Sequence, residues 1–283
     1  MLRTRVVTAV VFGLVLLGAL YLGGPIWALL VSLVAAAICA EYLGLWRSAG
    51  VTVAPALAAA GYLVAVVWPV AAWVQAGTAW AQAGTAGPGG AFTGLLLTLI
   101  VLVSLAVLVL TYPASSAGGG LLVLAGSIYV GWTLAHLILL RLSGPHGLWR
   151  AVLVFAGVWA TDSMAYFIGT LLGRHKLKPS LSPHKSVEGA VGGLLGGVLA
   201  AWLVGIPLGL PAGLRLGLGL AVAVVGQVGD LAESALKRYA GMKDSGNALP
   251  GHGGLLDRFD STLLSAPLVY YVLALWASKG GVW

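Results

Sequence analysis

Negative charge is scarce in this chain. Only eight of its 283 residues are Asp or Glu, and charged residues of both signs make up 8%. Soluble domains carry about a quarter, so a sequence this poor in charge is not a soluble globular domain. Cysteine is nearly missing as well. Cys39 stands alone inside an apolar run, which excludes an intrachain disulfide and leaves no dithiol for redox chemistry. No Gly-x4-Gly-Lys-Ser/Thr loop occurs, so the chain has no P-loop. The net charge of +7 comes without a basic run on a soluble module or a base-stacking motif, so nucleic acid is excluded as a partner.

What fills the sequence instead is apolar: 60% hydrophobic residues and a mean hydropathy of +1.00. Runs of about 20 apolar residues match the length a helix needs to cross a bilayer. They fall near 6–22, 26–46, 52–74, 93–112, 119–140, 150–172, 188–206, 214–239 and 260–277. The expected fold is all-α: a polytopic integral membrane protein of about nine transmembrane helices with a cytoplasm-facing polar cleft. It reads as a single domain over 1–283, with the less diagnostic helices in 1–148 and the catalytic part in 149–283. Arg3 and Arg5 followed by a long apolar run predict a retained first helix rather than a cleaved leader. The seventh run is short and rich in glycine, leaving a re-entrant or broken segment as its alternative. Residues 75–92 read as an uncharged linker and 113–120 as a turn. With the N-terminus inside, eleven of the fifteen Lys and Arg fall in cytoplasmic loops, as the positive-inside bias requires. Both charged segments, 173–188 and 237–260, are then cytoplasmic.

The few acids are not spread evenly. Asp230, Glu233, Asp244, Asp257 and Asp260 lie within one stretch of 31 residues, interleaved with Lys237, Arg238, Lys243 and Arg258. Gln227, Asp230, Glu233, Ser234 and Lys237 share one helical face by their spacing. Lipid would not tolerate such a stripe, and acids inside a membrane are functional by default. A structural Glu233–Lys237 ion pair at i, i+4 is the plainer alternative. The loop 240–254 carries His252 in a Gly-rich turn, with backbone able to approach a ligand. Asp257 and Asp260 stand at i, i+3 where the ninth helix begins. One such acid would read as a cap; two, with Arg258 between them, favour a Mg²⁺ site. A second constellation pairs Asp162, in mid-span, with the loop bearing Arg174, Lys176, Lys178 and Lys185. That loop suits phosphate or anionic headgroups. Gly189, Gly192, Gly193, Gly196 and Gly197 form a small-residue stripe for close helix packing. Glu41, beside Arg47 near the end of the second span, reads as structural.

From Ser234 to Asp260 the order is Ser-x-Leu-Lys-Arg, four residues, Lys-Asp-x-Gly, two residues, Leu-Pro-x-His-Gly-Gly-Leu-x-Asp-Arg-Phe-Asp. It resembles the signature of the phosphatidate cytidylyltransferases, the CDP-diacylglycerol synthases. Ser182, Pro183, Lys185, Ser186, Glu188 and Gly189 are similar to a second element of that family, with Ser186 standing where Thr is expected. The resemblance implies transfer of CMP from CTP to phosphatidic acid at a bacterial-type inner membrane, with Mg²⁺ as cofactor. A second metal or a monovalent cation is left open, as is a homodimer. It implies Asp230, Asp257, Lys237 and His252 as catalytic residues. Metal ligands would come from Asp230, Asp257, Asp260, Glu233 and Asp162. Substrate contacts would come from Lys185, Ser182, Ser186, Ser234, Arg238, Lys243, Arg258, Gly253 and Gly254. Two alternatives stand beside it: another CTP-dependent lipid enzyme (an archaeal-type lipid cytidylyltransferase or a polyprenol kinase) and, more remotely, an ion-coupled transporter.

Overall fold

Backbone polar groups cannot go unsatisfied in hydrocarbon, and long apolar segments therefore close their hydrogen bonds within helices. In the computed structural model, which describes residues 2–81, 109–110, 117–251 and 253–281, nearly every element is an α-helix. These are α1 (Leu2–Leu22), α2 (Gly24–Ser48), α3 (Pro55–Ala81), α4 (Ala117–Ser127), a π-helical turn (Ile128–Trp132), α5 (Thr133–Leu142), α6 (Gly147–Leu172), α7 (Val187–Val204), α8 (Ala212–Tyr239) and α9 (Leu256–Ala277). Seven described spans are long and apolar enough to cross a membrane: α2, α3, the run Gly118–Leu142, α6, α7, α8 and α9. Val6–Leu22 is a shorter apolar helix. The fourth sequence-predicted span, 93–112, lies outside the described residues except for 109–110. The chain is an all-α polytopic membrane protein.

The chain divides into two compact units, Met1–Ser143 with Tyr239–Asp257, and Gly144–Arg238 with Arg258–Trp283. In the first, α2 buries Trp27, Val31, Val34, Ile38, Tyr42 and Leu45, a stripe at helical spacing. The Trp27 indole N–H donates to the Leu137 carbonyl at 3.1 Å, so a buried polar tip is satisfied. Gly131, in the π-helical turn, lets α3 come close: a Cβ there would sit 2.7 Å from the Ala65 backbone. The Ser127 hydroxyl donates to Val123 O at 2.7 Å just before that turn.

In the second unit α6 and α7 lie against each other along the glycine stripe. A Cβ at Gly196 would meet Ala160 O at 2.4 Å, and one at Gly192 would meet Ile168 at 2.6 Å. Lipid offers little hydrophobic drive between helices, so close backbone approach supplies the attraction. The seventh run, for which a re-entrant or broken segment is the alternative, is a continuous helix over Val187–Val204. The segment 173–188, read as a loop, instead holds a small antiparallel hairpin, β1 (Lys176–Lys178) with β2 (Ser182–Ser186). Its end is fixed by capping: Ser186 Oγ accepts from Gly189 N at 3.1 Å and so starts α7. Glu188 closes the hairpin from the other side, accepting from Arg174 N at 3.1 Å and pairing with His175 Nδ1 at 2.6 Å. Helix α9 begins at Leu256, four residues before the apolar run suggests, so Asp257 stands in its first turn.

Candidate active site

Helix α8 turns Gln227, Asp230, Glu233, Ser234 and Lys237 along one side, as the spacing requires. What brings other elements to that side is the absence of side chains. A Cβ at Gly229 would lie 2.6 Å from the Asp260 carbonyl oxygen, so α9 meets α8 backbone to backbone beside Asp230. A Cβ at Gly226 would meet Ser261 Cβ at 3.5 Å, one turn earlier on α8. Carboxylate oxygens of Asp230, Glu233 and Asp260 consequently fall within 4.8 Å of one another. Glu233 is 1% exposed and Asp260 9%, a depth at which charge must be balanced.

Two lysines provide part of that balance. Lys185, at the end of β2, places Nζ 2.5 Å from Asp230 Oδ2. Lys237 places Nζ 2.7 Å from Glu233 Oε2, the i, i+4 pair. Asp260 takes the Ser261 backbone N–H at 2.6 Å. Three converging carboxylates are the hard oxygen donors a divalent cation prefers, so the residues present fit such an ion. Alongside lies a cavity of about 380 Å³ whose walls include Asp162, Tyr166, Lys185, Ser186, Gln227 and Asp230. Asp162 and the basic hairpin, far apart in the sequence, thus meet Asp230 at one cavity. Ser186 is buried and committed to capping α7. Arg238 reaches the Leu181 carbonyl at 3.4 Å, and Ser182 pairs with Lys178 in the hairpin. Ser234 is half-buried on α8, and Arg258 is exposed in the first turn of α9.

The signature loop belongs to the first unit and has an organisation of its own. Asp257 Oδ2 accepts from Ser245 N at 3.1 Å, Ser245 Oγ at 3.0 Å and Gly254 N at 2.9 Å. Asp257 therefore ties the loop to the start of α9. Gly253 adopts φ +81°, a left-handed conformation that disfavours a side chain, and a Cβ there would also lie 2.8 Å from Asp257 Oδ2. Lys243 is exposed, and His252 lies outside the described residues. One participant was not foreseen. Glu41, from α2, accepts from Leu255 N at 2.9 Å, Leu256 N at 2.8 Å and Ser245 Oγ at 3.1 Å. The available signal is that it is the one acid of its own apolar span, 26–46.

Fold and site together define an integral membrane protein that brings Asp162, Asp230 and Lys185 to one cavity, with Glu233 and Asp260 beside Asp230. The profile of the Cytidylyltransferase family matches residues 3–276, and the chain belongs to that family. It is 37% identical over 153 residues to the phosphatidate cytidylyltransferase of Bacillus subtilis, an alignment covering 53% of this chain and 57% of that protein. The Brucella abortus phosphatidate cytidylyltransferase is 37% identical over 186 residues, 65% of this chain and 68% of the relative. The one from Staphylococcus aureus is 32% identical over 281 residues, 96% of this chain and 99% of the relative.

Proposed function

We propose that the chain transfers CMP from CTP to phosphatidic acid, yielding CDP-diacylglycerol and pyrophosphate for phospholipid synthesis. The observation that carries this reading is the convergence of Asp230, Glu233 and Asp260 beside the Lys185-lined cavity. Two polyanions have to be brought together, so the requirement is for positive charge and fixed geometry rather than strong acid–base chemistry. The lipid phosphate monoester has a second pKa of about 6, by analogy with phosphoserine. It is largely ionised near neutrality and needs no strong base.

In this reading an oxygen of that monoester attacks the α-phosphorus of CTP. A P–O bond forms, the α–β anhydride bond breaks, and pyrophosphate leaves with the bonding electrons. A divalent ion, Mg²⁺ here, would be held by Asp230 and Asp260 with Glu233 behind them, and when bound supplies charge that steadies the leaving oxygens. Lys185 can exchange its contact with Asp230 for a phosphate oxygen. Lys237 keeps Glu233 neutralised and its head group oriented. Asp162, in the wall of the same cavity, sets its polarity. Asp257 orders the loop through Ser245 and Gly254. Outward-facing side chains such as Leu171 and Leu172 on α6 and Leu195 on α7 suit acyl chains in the bilayer. The positive-inside distribution supports a cytoplasmic opening, where CTP is available.

The test uses purified protein in detergent with labelled CTP and phosphatidic acid, with and without Mg²⁺. The expected result is CDP-lipid and pyrophosphate in equal amounts, only with the metal. Transfer of a bare phosphate to the lipid, or no consumption of CTP, would overturn it.

A further inference from the structure

Glu41 lies some two hundred residues from the loop it touches, in a helix that the sequence marks only as a membrane span. We infer that Glu41 is a positioning residue for the reaction, holding the signature loop and the first turn of α9 in register. The inference rests on the proposed function for its kinetic part. Its structural part stands on hydrogen bonds alone.

The first N–H groups of a helix have no partner within it and need an acceptor. For α9 that acceptor comes from another span. Glu41 Oε1 takes Leu255 N at 2.9 Å and Oε2 takes Leu256 N at 2.8 Å, a two-pronged cap. Hydrogen bonds to an ionised carboxylate are roughly twice as strong as neutral ones. The Ser245 hydroxyl lies 3.1 Å from Glu41 Oε2 and 3.0 Å from Asp257 Oδ2. A hydroxyl has one proton to donate, so the two carboxylates share it, and Ser245 links the distant acid to the local one.

Two glycines of the signature make room for this cap. A Cβ at Gly246 would lie 2.8 Å from Glu41 Oε1, and one at Gly254 would lie 2.4 Å from Oε2 and 2.1 Å from Ser245 Oγ. A side chain at either position would push the Glu41 carboxylate, and at Gly254 the Ser245 hydroxyl too, out of the cap. The cap fixes Leu256, and Asp260 follows one turn further along the same helix. A shift at the start of α9 therefore displaces a carboxylate of the candidate metal group.

The experiment compares Glu41→Gln, Glu41→Asp and Ser245→Ala with the parent protein in detergent. Hydrogen exchange is read at Leu255 and Leu256, alongside kcat, KM and the Mg²⁺ concentration giving half-maximal rate. In Glu41→Gln, exchange at those two amides should rise by about tenfold, the scale of one hydrogen bond lost. Its kcat should fall by about tenfold or more, as expected for a small misplacement of reacting groups. The half-maximal Mg²⁺ concentration should rise, while KM for phosphatidic acid holds within twofold. Glu41→Asp should recover part of kcat, and Ser245→Ala should give a milder version of the same pattern. A merely structural residue would lower the yield of folded protein and leave kcat and the Mg²⁺ response of the folded fraction unchanged, overturning the inference. Unchanged exchange at Leu255 and Leu256 would overturn it too. If Glu41→Gln does not fold, Ser245→Ala and Gly246→Ala decide by the same readings. If the parent protein makes no CDP-lipid, the proposed function fails while the exchange measurement still decides on the cap.

Discussion

At the scale of single residues, the scarcity of acids is what made them readable. In a chain with eight carboxylates, each one inside an apolar span demands a reason. Asp230, Glu233 and Asp260 have one in their mutual approach, and Glu41 has one in its cap. Glu233 and Lys237 illustrate how a structural pair and a functional site coexist. Glu233→Gln removes the buried charge that Lys237 meets at 2.7 Å, and breaking a buried pair costs about 3–5 kcal/mol. The prediction is a clear loss of thermal stability in detergent, larger than for a paired Glu233→Met/Lys237→Met replacement. Equal losses in the two would contradict it. Lys185, by contrast, is about a quarter exposed where it meets Asp230. Lys185→Met should leave the melting temperature nearly unchanged yet raise KM for CTP or lower kcat by at least tenfold, on the scale of one lost charge-assisted phosphate contact. Steady-state kinetics on the folded variant would check this.

At the scale of elements, helix existence was legible and helix contact was not. Apolar runs of bilayer length locate α2, α3, α6, α7, α8 and α9, because each must satisfy its own backbone in lipid. The spacing on α8 foretold its polar side. The hairpin was missed because Lys-rich, proline-containing segments carry no strand periodicity; it forms because Ser186 and Glu188 fix its ends. Glycines are the clearest case of partial legibility. The α7 stripe announces close packing, but only the structure separates glycines with a neighbour from those without. Gly196→Leu would drive a side chain into the Ala160 carbonyl, and overpacking of this kind costs about 1–3 kcal/mol. Gly217 on α8 has nothing within 4 Å. Gly217→Ala should therefore stabilise, by up to about 1 kcal/mol of helix propensity. Melting temperatures of the two variants should move in opposite directions; a shared direction would contradict the packing account.

At the scale of the whole molecule, each unit joins parts that sequence order keeps apart: Asp162, Lys185, Asp230 and Asp260 in the second, Glu41 and the signature loop in the first. The stretch 230–260 and the element 182–189 were visible as motifs because each is contiguous. Asp162 was visible only as a polar residue in an apolar run, and Glu41 was passed over for lying beside Arg47. No local pattern reports a contact across some two hundred residues. The claim that unites the molecule is that Asp230, Glu233 and Asp260 act together at the cavity in CMP transfer. The most direct measurement is the rate of CDP-lipid formation by Asp230→Asn and Asp260→Asn proteins whose melting temperatures match the parent, over a range of Mg²⁺ concentrations. The account predicts a fall of at least about a hundredfold in each, the scale at which electrostatic stabilisation of phosphoryl transfer is lost, with a weakened or absent Mg²⁺ response. Near-parental rates in either folded variant would contradict it.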